Sequence, residues 1–295
     1  MPLDIEVATL LERQKHQPPR SSLDVAATRE MMRRAASLGG TAPAIPRVED
    51  LVLPGSLRVR QYWPVLDASL PLLIYFHGGR FFSGDLASHD TVCRMLARSG
   101  ECRVVAVDYR LGPEHRFPAA YDDALRAVAW ALEQGVPAGV AGDSAGANLA
   151  AGAATAQRDS ALRCQLLVYP MIDATCGLPS YPEFASGYGP GAEDMQRGWR
   201  EYLPEGGDPR DPRASPLFAA NLSSLAPALI LTAEYDTLRD EGEAYARRLA
   251  QAGTRVTLHR YDGMVHGFFT MPGVLRVARE AMDEAGVFLR GSLRG

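Results

Sequence analysis

The chain has little of what marks a membrane, metal or nucleic-acid protein. No apolar run approaches the roughly 20 residues needed to span a bilayer; the densest strand-like run covers only residues 72–76. The opening residues MPLDIE lack both the positive start and the apolar stretch of a secretory signal, so a cytoplasmic protein without stable membrane insertion is expected. The four cysteines, Cys93, Cys102, Cys164 and Cys176, form no C-x-x-C pair and no metal-ligand spacing; they read as reduced thiols, and no metal is expected. With 31 basic against 35 acidic residues, a net charge of −4 and no long basic block, no nucleic-acid partner is expected. A Gly-Lys-Ser/Thr phosphate loop, a G-x-G-x-x-G dinucleotide fingerprint and internal repeats are also missing.

What is present is enough apolar material, 46% of 295 residues, for a large single core, or for one core plus a small accessory lobe. The first 45 residues read as helical. Leu3, Val7, Leu10, Leu11 and Gln14 trace one face that Pro18-Pro19 would end, and Asp24 precedes a second helix stopped by Gly39-Gly40. Residues 48–53 and 57–63 read as a strand pair around Pro54-Gly55. Strands are then expected at 72–76, 104–107, 136–142, 166–169, 228–232 and 256–261. Helices are expected at 88–98, 118–133, 145–157, 240–252 and 274–289. Short continuous apolar strands alternating with helices predict an α/β protein with a mostly parallel sheet covered on both faces. The alternation breaks once, at residues 173–226, which hold many Pro and Gly and no strong strand. A long insertion at the carboxyl end of a strand tends to cover a site. The expected organisation is a helical cap built from 1–45 and 173–226 over an α/β domain built from 46–172 and 227–295.

The chemistry concentrates where strands give way to loops. Gly142-x-Ser144-x-Gly146 lies on a strand-to-helix junction, where a turn too tight for side chains at either glycine lifts the serine hydroxyl out of the sheet. An ordinary glycine-rich βα turn would read alike, but no phosphate-loop residues support one. Serine needs a base. His266, in YDGMVHGFF between the last strand and last helix, falls at the carboxyl edge of the sheet, whereas His259 sits inside a strand. The acid comes from LILTAEYDTLRDEG. Asp236 falls just past the strand, Glu234 is the alternative, and Asp240 and Glu241 suit a helix N-terminus. In LLIYFHGGRFFSG, residues 72–84, two glycines end a strand and bring backbone N–H groups close to something negative.

These residues, with GDLASHDTVCRMLA at 84–97, VDYRLGPEHRFPAAYDDA at 107–124, GDSAGANLA at 142–150, YDTLRDEG at 235–242 and VHGFF at 265–269, resemble the blocks of the hormone-sensitive-lipase-like carboxylesterases, in their order and over nearly the whole chain. The resemblance implies an α/β-hydrolase fold with a helical cap, a Ser144–His266–Asp236 triad, and an oxyanion hole from Gly78, Gly79 and Ala145. It also implies hydrolysis of a small-molecule ester, short to medium in chain length, without a cofactor. The residue after the nucleophile, Ala145, is an expected donor on general grounds as well. His77 is read as a brace of the loop, and Asp143 and Asn148 as local caps of the turn and helix. In such folds the last strand and helix sometimes form a dimer edge, so a homodimer is an open expectation. Phe81, Phe82, Tyr188, Leu217, Phe218, Met264 and Phe268 are candidates for the substrate pocket, with core packing the alternative for each.

The chain departs from the family pattern at Arg80, where a third glycine is usual, and, less consequentially, at Thr237, where proline is usual. If position 80 needs φ > 0, a side chain there strains the backbone. Either Arg80 biases the site toward acidic or phenolate-leaving substrates, or it turns away to pair with an acid such as Asp85. The departure also keeps amidase, formamidase and lactonase chemistry in view. A non-catalytic small-molecule receptor on the same fold is the reading from another class; the presence of serine, acid and histidine together argues against it.

Overall fold

A computed structural model describes residues 2–15 and 20–294. Its elements, in chain order, are α1 (Ile5–Gln14), α2 (Val25–Ala35), β1 (Arg47–Leu53), β2 (Leu57–Trp63), β3 (Leu72–Phe76), α3 (Asp90–Gly100), β4 (Arg103–Val107), α4 (Ala119–Leu132), β5 (Ala138–Asp143), α5 (Ala145–Ala156), β6 (Leu162–Val168), α6 (Ser180–Glu183), α7 (Ala192–Tyr202), β7 (Ala228–Tyr235), α8 (Arg239–Gln251), β8 (Val256–Val265) and α9 (Arg276–Arg294). Asp4 and Asp24 start α1 and α2 by accepting from the amides of Glu6 and Ala27, which would otherwise lack partners. Pro18-Pro19, expected to end the first helix, lies outside the described residues.

The eight strands form one sheet in the order β1-β2-β4-β3-β5-β6-β7-β8, antiparallel at β1/β2 and β2/β4 and parallel from β4 to β8. Alternation along β3 shows why both faces are covered. Leu72, Ile74 and Phe76 enter a core with α4, α5 and α8, while Leu73 and Tyr75 enter another with α3 and α9. The chain runs from β3 to β4 on one side and returns to β5 on the other. This reversal opens a crevice at the carboxyl ends of two central strands, the place where open α/β sheets hold ligands.

Several expected boundaries shift, three of them beside a specific side-chain contact. The helix expected from residue 88 begins at Asp90, because Asp85 and Ser88 close a turn on each other: the Ser88 amide donates to Asp85 Oδ1 at 2.7 Å and the Asp85 amide to Ser88 Oγ at 2.9 Å. β6 begins at Leu162 rather than 166; the buried Gln165 that interrupts its apolar run donates its Nε2 to the Ala226 carbonyl at 2.8 Å. β8 continues past 261 to Val265, where the Glu234 carboxylate accepts from the Gly263 amide. Among the described residues no helix is long and apolar enough to cross a membrane.

Candidate active site

β5 ends at Asp143 and α5 starts at Ala145, so Ser144 alone makes the turn, with φ 55° and ψ −119°. Such a conformation costs a non-glycine residue about 1–3 kcal/mol and persists only where its surroundings enforce it. Here the Ser144 amide donates to the Val168 carbonyl at 2.9 Å, and the Ser144 carbonyl accepts from Met171 at 3.1 Å. A Cβ on Gly142 would lie 2.4 Å from the Gly146 carbonyl carbon, and one on Gly146 would lie 1.9 Å from the Phe76 carbonyl oxygen. Both glycines are therefore steric requirements of packing α5 directly beneath the ends of β3 and β5.

The base and acid reach the serine from neighbouring strands. β7 and β8 pair Tyr235 with Val265, so the next residue on each strand, Asp236 and His266, leaves the sheet side by side. His266 Nδ1 lies 2.8 Å from Asp236 Oδ2, and His266 Nε2 lies 3.1 Å from Ser144 Oγ. A carboxylate only accepts, so Nδ1 carries the proton and Nε2 is left to accept from the serine hydroxyl. The other Asp236 oxygen is held by the Leu238 amide at 2.8 Å, and the Tyr169 ring packs 4.6 Å from the imidazole. The structure brings together Ser144, Asp236 and His266, and sends the rivals elsewhere. Glu234 receives Gly263, Asp240 receives the Ser180 amide, Glu241 receives Ile172, and His259 pairs with Glu284.

The loop after β3 corrects part of the sequence reading. The Gly78 amide, expected in the oxyanion hole, is already committed: it donates to Asp143 Oδ1 at 2.9 Å. Among the described residues no carbonyl or side chain takes the amides of Gly79, Arg80 or Ala145. Those three are free donors at the turn, and the residue in place of the third glycine is one of them. Asp143 is accordingly no local cap. It also accepts from Tyr75 Oη at 2.6 Å and faces His89 Nε2 at 3.3 Å. Burial alone would raise the Asp143 carboxyl, but His89 and the bonds from His89, Tyr75 and Gly78 hold it below the ordinary carboxylate value. Asn148 is not a local cap either; its amide nitrogen donates to the Met171 and Ala214 carbonyls, tying α5 to the inserted segment. His77 does brace the loop. Its Nδ1 meets the Gly78 carbonyl at 2.8 Å, and Tyr109 Oη donates to its own carbonyl at 2.7 Å. Burial, reinforced by His89, pushes His77 down to about 4, so it is neutral near pH 7.

Comparison with known proteins fits this geometry. The α/β-hydrolase-fold family matches residues 73–270. The chain belongs to that family. It is 40% identical to the ethyl acetate hydrolase of Pseudomonas putida over 87% of this chain and 86% of that one. It is 40% identical to the carboxylic ester hydrolase LipN of Mycobacterium tuberculosis over 84% of this chain and 71% of LipN. Among solved structures, a hyperthermophilic esterase from Pyrobaculum calidifontis superposes with a TM-score of 0.90 at 39% identity, covering 99% of both chains.

Within this α/β-hydrolase the serine opens on a cavity of about 630 Å³. Ser144, His266, Gly79 and Arg80 line its floor; Leu23, Ala27, Met31 and Leu38 of the N-terminal segment, with Pro190 and Met195 of the insertion, line its walls. Of the eight candidate pocket residues only Arg80 is among them. The other seven are diverted by packing. Phe81 stacks on Tyr202 at 3.9 Å, and Phe82 lies beneath the guanidinium groups of Arg80 and Arg197. Tyr188 stacks on Tyr235, and Phe218 is covered by Arg210. Leu217, Met264 and Phe268 are buried in the cores. The methionines and leucines of residues 23–38 were missed because their helical spacing reads equally well as core.

Arg80 has φ 57°, so its backbone is strained, as the missing glycine implied. Its partner is not Asp85, which pairs with Arg33 at 2.8 Å. Arg80 Nη1 instead reaches Asp194 Oδ1 on α7 at 3.2 Å, both side chains being buried. Room for Arg80 comes from Gly198: a Cβ there would lie 2.8 Å from Arg80 Cβ. Burial lowers the Arg80 guanidinium to about 10; Asp194 opposes this, and the charges of Arg20 and Arg197 add to it. It remains a cation near pH 7. No feature of the sequence announces the Arg80–Asp194 pair, whose members stand 114 residues apart.

Proposed function

We propose that this α/β-hydrolase is a serine carboxylic-ester hydrolase that cleaves short- to medium-chain esters through an acyl-enzyme. The observation that carries the reading is the line Ser144 Oγ–His266 Nε2 at 3.1 Å and His266 Nδ1–Asp236 Oδ2 at 2.8 Å, ending in the cavity. Similarity to proteins named as ester hydrolases supports it. His266 takes the hydroxyl proton as Ser144 Oγ attacks the ester carbonyl carbon. The charge developing on the carbonyl oxygen is stabilised by the amides of Gly79, Arg80 and Ala145, each such donor contributing about 3–4 kcal/mol. Collapse of the tetrahedral species breaks the bond to the alcohol, which leaves with the proton from His266. Water, deprotonated by the same nitrogen, then attacks the acyl-enzyme and frees the acid. Asp236 holds the tautomer and stabilises the imidazolium formed in each half-reaction.

Residues 1–45 and 173–226 form the cap of this enzyme in the same reading. Support comes from Arg197 of α7, which donates to the Ser21 and Leu23 carbonyls, and from Arg29 of α2, which reaches the carbonyls of Phe82 at 2.9 Å and Gly112 at 3.0 Å. The cytoplasm is the proposed compartment; the four cysteines are all free thiols. A series of p-nitrophenyl esters of increasing acyl length, run beside matched amides and lactones, tests the reading. Turnover of the shorter esters, lost in Ser144→Ala, is expected. Full ester turnover in Ser144→Ala, or faster cleavage of the amides, overturns it.

A further inference from the structure

Two guanidinium groups with one carboxylate acting on both line the cavity that holds Ser144. Four other ionisable liners have partners close by. Glu30 and Arg34 pair at 2.9 Å at the exposed mouth, Asp143 is turned into the network of Gly78, Tyr75 and His89, and His266 faces Asp236. Two guanidinium groups remain, those of Arg20 and Arg80. Asp194 acts on both: its Oδ1 meets Arg80 directly, its Oδ2 accepts from the Gly191 amide, and its charge reaches Arg20 only through space. Arg20 makes no ion pair among the described residues; its nearest polar side-chain partner is Gln14 Oε1 at 3.4 Å. A half-buried cation beside a second buried cation, with one carboxylate acting on both, is an arrangement that an added anion stabilises. The third nearby cation, Arg197, is satisfied separately by Glu201 at 3.6 Å and by the Phe82 ring.

This wall is built for Arg80. The residue holds a strained backbone, and the helix facing it gives up a side chain at Gly198, mid-helix, to admit it. Glycine in a helix interior is unfavourable, so the pairing of a strained arginine with a helical glycine has a cost on both sides. The same arginine supplies a free amide beside Ser144, which places its cationic side chain and the reaction on one residue.

Resting on the ester-hydrolase reading, we infer that the Arg20–Arg80 wall is an anion subsite and that the enzyme's favoured substrates are esters carrying a free carboxylate, such as monoesters of short dicarboxylic acids. The carboxylate takes the place of the missing counter-charge and is ionised throughout the neutral range. The test compares kcat/KM for monoethyl glutarate with that for its neutral isostere, ethyl 5-methylhexanoate, in wild type and Arg20→Gln, at low and high salt. The ratio is expected to fall about tenfold in Arg20→Gln, the usual size of a lost charged hydrogen bond, and to fall with salt in wild type only. Calorimetric binding of glutarate to Ser144→Ala protein, with and without Arg20→Gln, reads the subsite without turnover, and the same tenfold loss is expected. A ratio that Arg20→Gln leaves unchanged, or glutarate bound equally by both proteins or by neither, overturns the inference. Failure of wild type to cleave either ester overturns the hydrolase reading instead, and the glutarate measurement still judges the subsite.

Discussion

The elbow at residues 142–146 and the loop at 77–84 meet a similar steric demand in different ways. Both are turns at the ends of central strands, and both force residues to positive φ: Ser144 at 55° in one, Arg80 at 57° and Phe81 at 64° in the other. At the elbow the space is closed by backbone on every side, so glycine flanks the serine and nothing else fits. In the loop the third position faces a helix rather than the sheet, and a glycine on that helix admits an arginine. A turn pressed against backbone fixes its sequence. A turn pressed against a side-chain layer can trade residues with the layer. The first kind of turn carries the nucleophile; the second brings free amides beside it and, at Arg80, a side chain held by the layer it faces.

The contrast can be broken at several points. The largest effect belongs to the elbow: Ser144→Ala is expected to lower ester kcat/KM about ten-thousandfold or more, with the circular dichroism unchanged; residual activity near wild type would remove the serine from the mechanism. Gly146→Ala drives a methyl into the Phe76 carbonyl and should destabilise by about 3 kcal/mol or more, seen as a lowered calorimetric Tm; an unaffected Tm would mean the elbow is less closed than described. Asp143→Ala strips the Gly78 amide and Tyr75 of their acceptor. It should cut kcat about 100-fold through loss of aligned oxyanion donors, with a smaller change in KM; an unchanged kcat would show that the loop holds itself.

Two smaller effects sharpen the loop side. Gly198→Ala, helix-favouring by up to about 1 kcal/mol in isolation, should destabilise wild type by about 1–2 kcal/mol because its Cβ meets Arg80. In an Arg80→Gly background the same change should become neutral or stabilising; additive effects in this double-mutant cycle would uncouple the two positions. The last concerns acid. His77 is held at about 4 in the folded protein against an ordinary value near 6.5 when unfolded. Between those values the unfolded chain binds the extra proton, so this contribution is intact above 6.5 and lost as pH falls toward 4, by at most about 1.4 kcal/mol per pH unit. Unfolding curves from pH 7.5 to 4.5 should show that slope, reduced in His77→Gln; an equal slope in both proteins would assign the acid sensitivity to other groups.

The parts of the molecule that could be read from sequence are those set by local chain chemistry. The sheet was legible because each inner strand is a short apolar run between turn residues. The elbow was legible because both of its glycines have a backbone reason, and Asp236 and His266 because each steps off a strand end. The parts that could not be read depend on which distant surfaces meet. Asp194 looks like an acid at a helix start, and nothing near it in sequence points to Arg80. Leu23, Met31 and Leu38 have the spacing of core residues but face a cavity, while Phe81 and Phe268, placed beside the loop and the base, turn into packing. The loss of Gly78 as a donor follows from a carboxylate 65 residues away.

The register of β7 against β8 has a consequence for how such a protein can change. Because strand pairing makes Asp236 and His266 neighbours, the proton-handling pair is a property of the framework, braced from above by Ser180 Oγ, which donates to the Thr237 carbonyl at 2.6 Å. The segments above it contribute the walls of the cavity and the partner of Arg80. The sheet thus sets where serine, base and acid stand, while the place of the Arg80 amide beside them is set in part by the helix it packs against, so a change in that helix reaches the reaction through one residue.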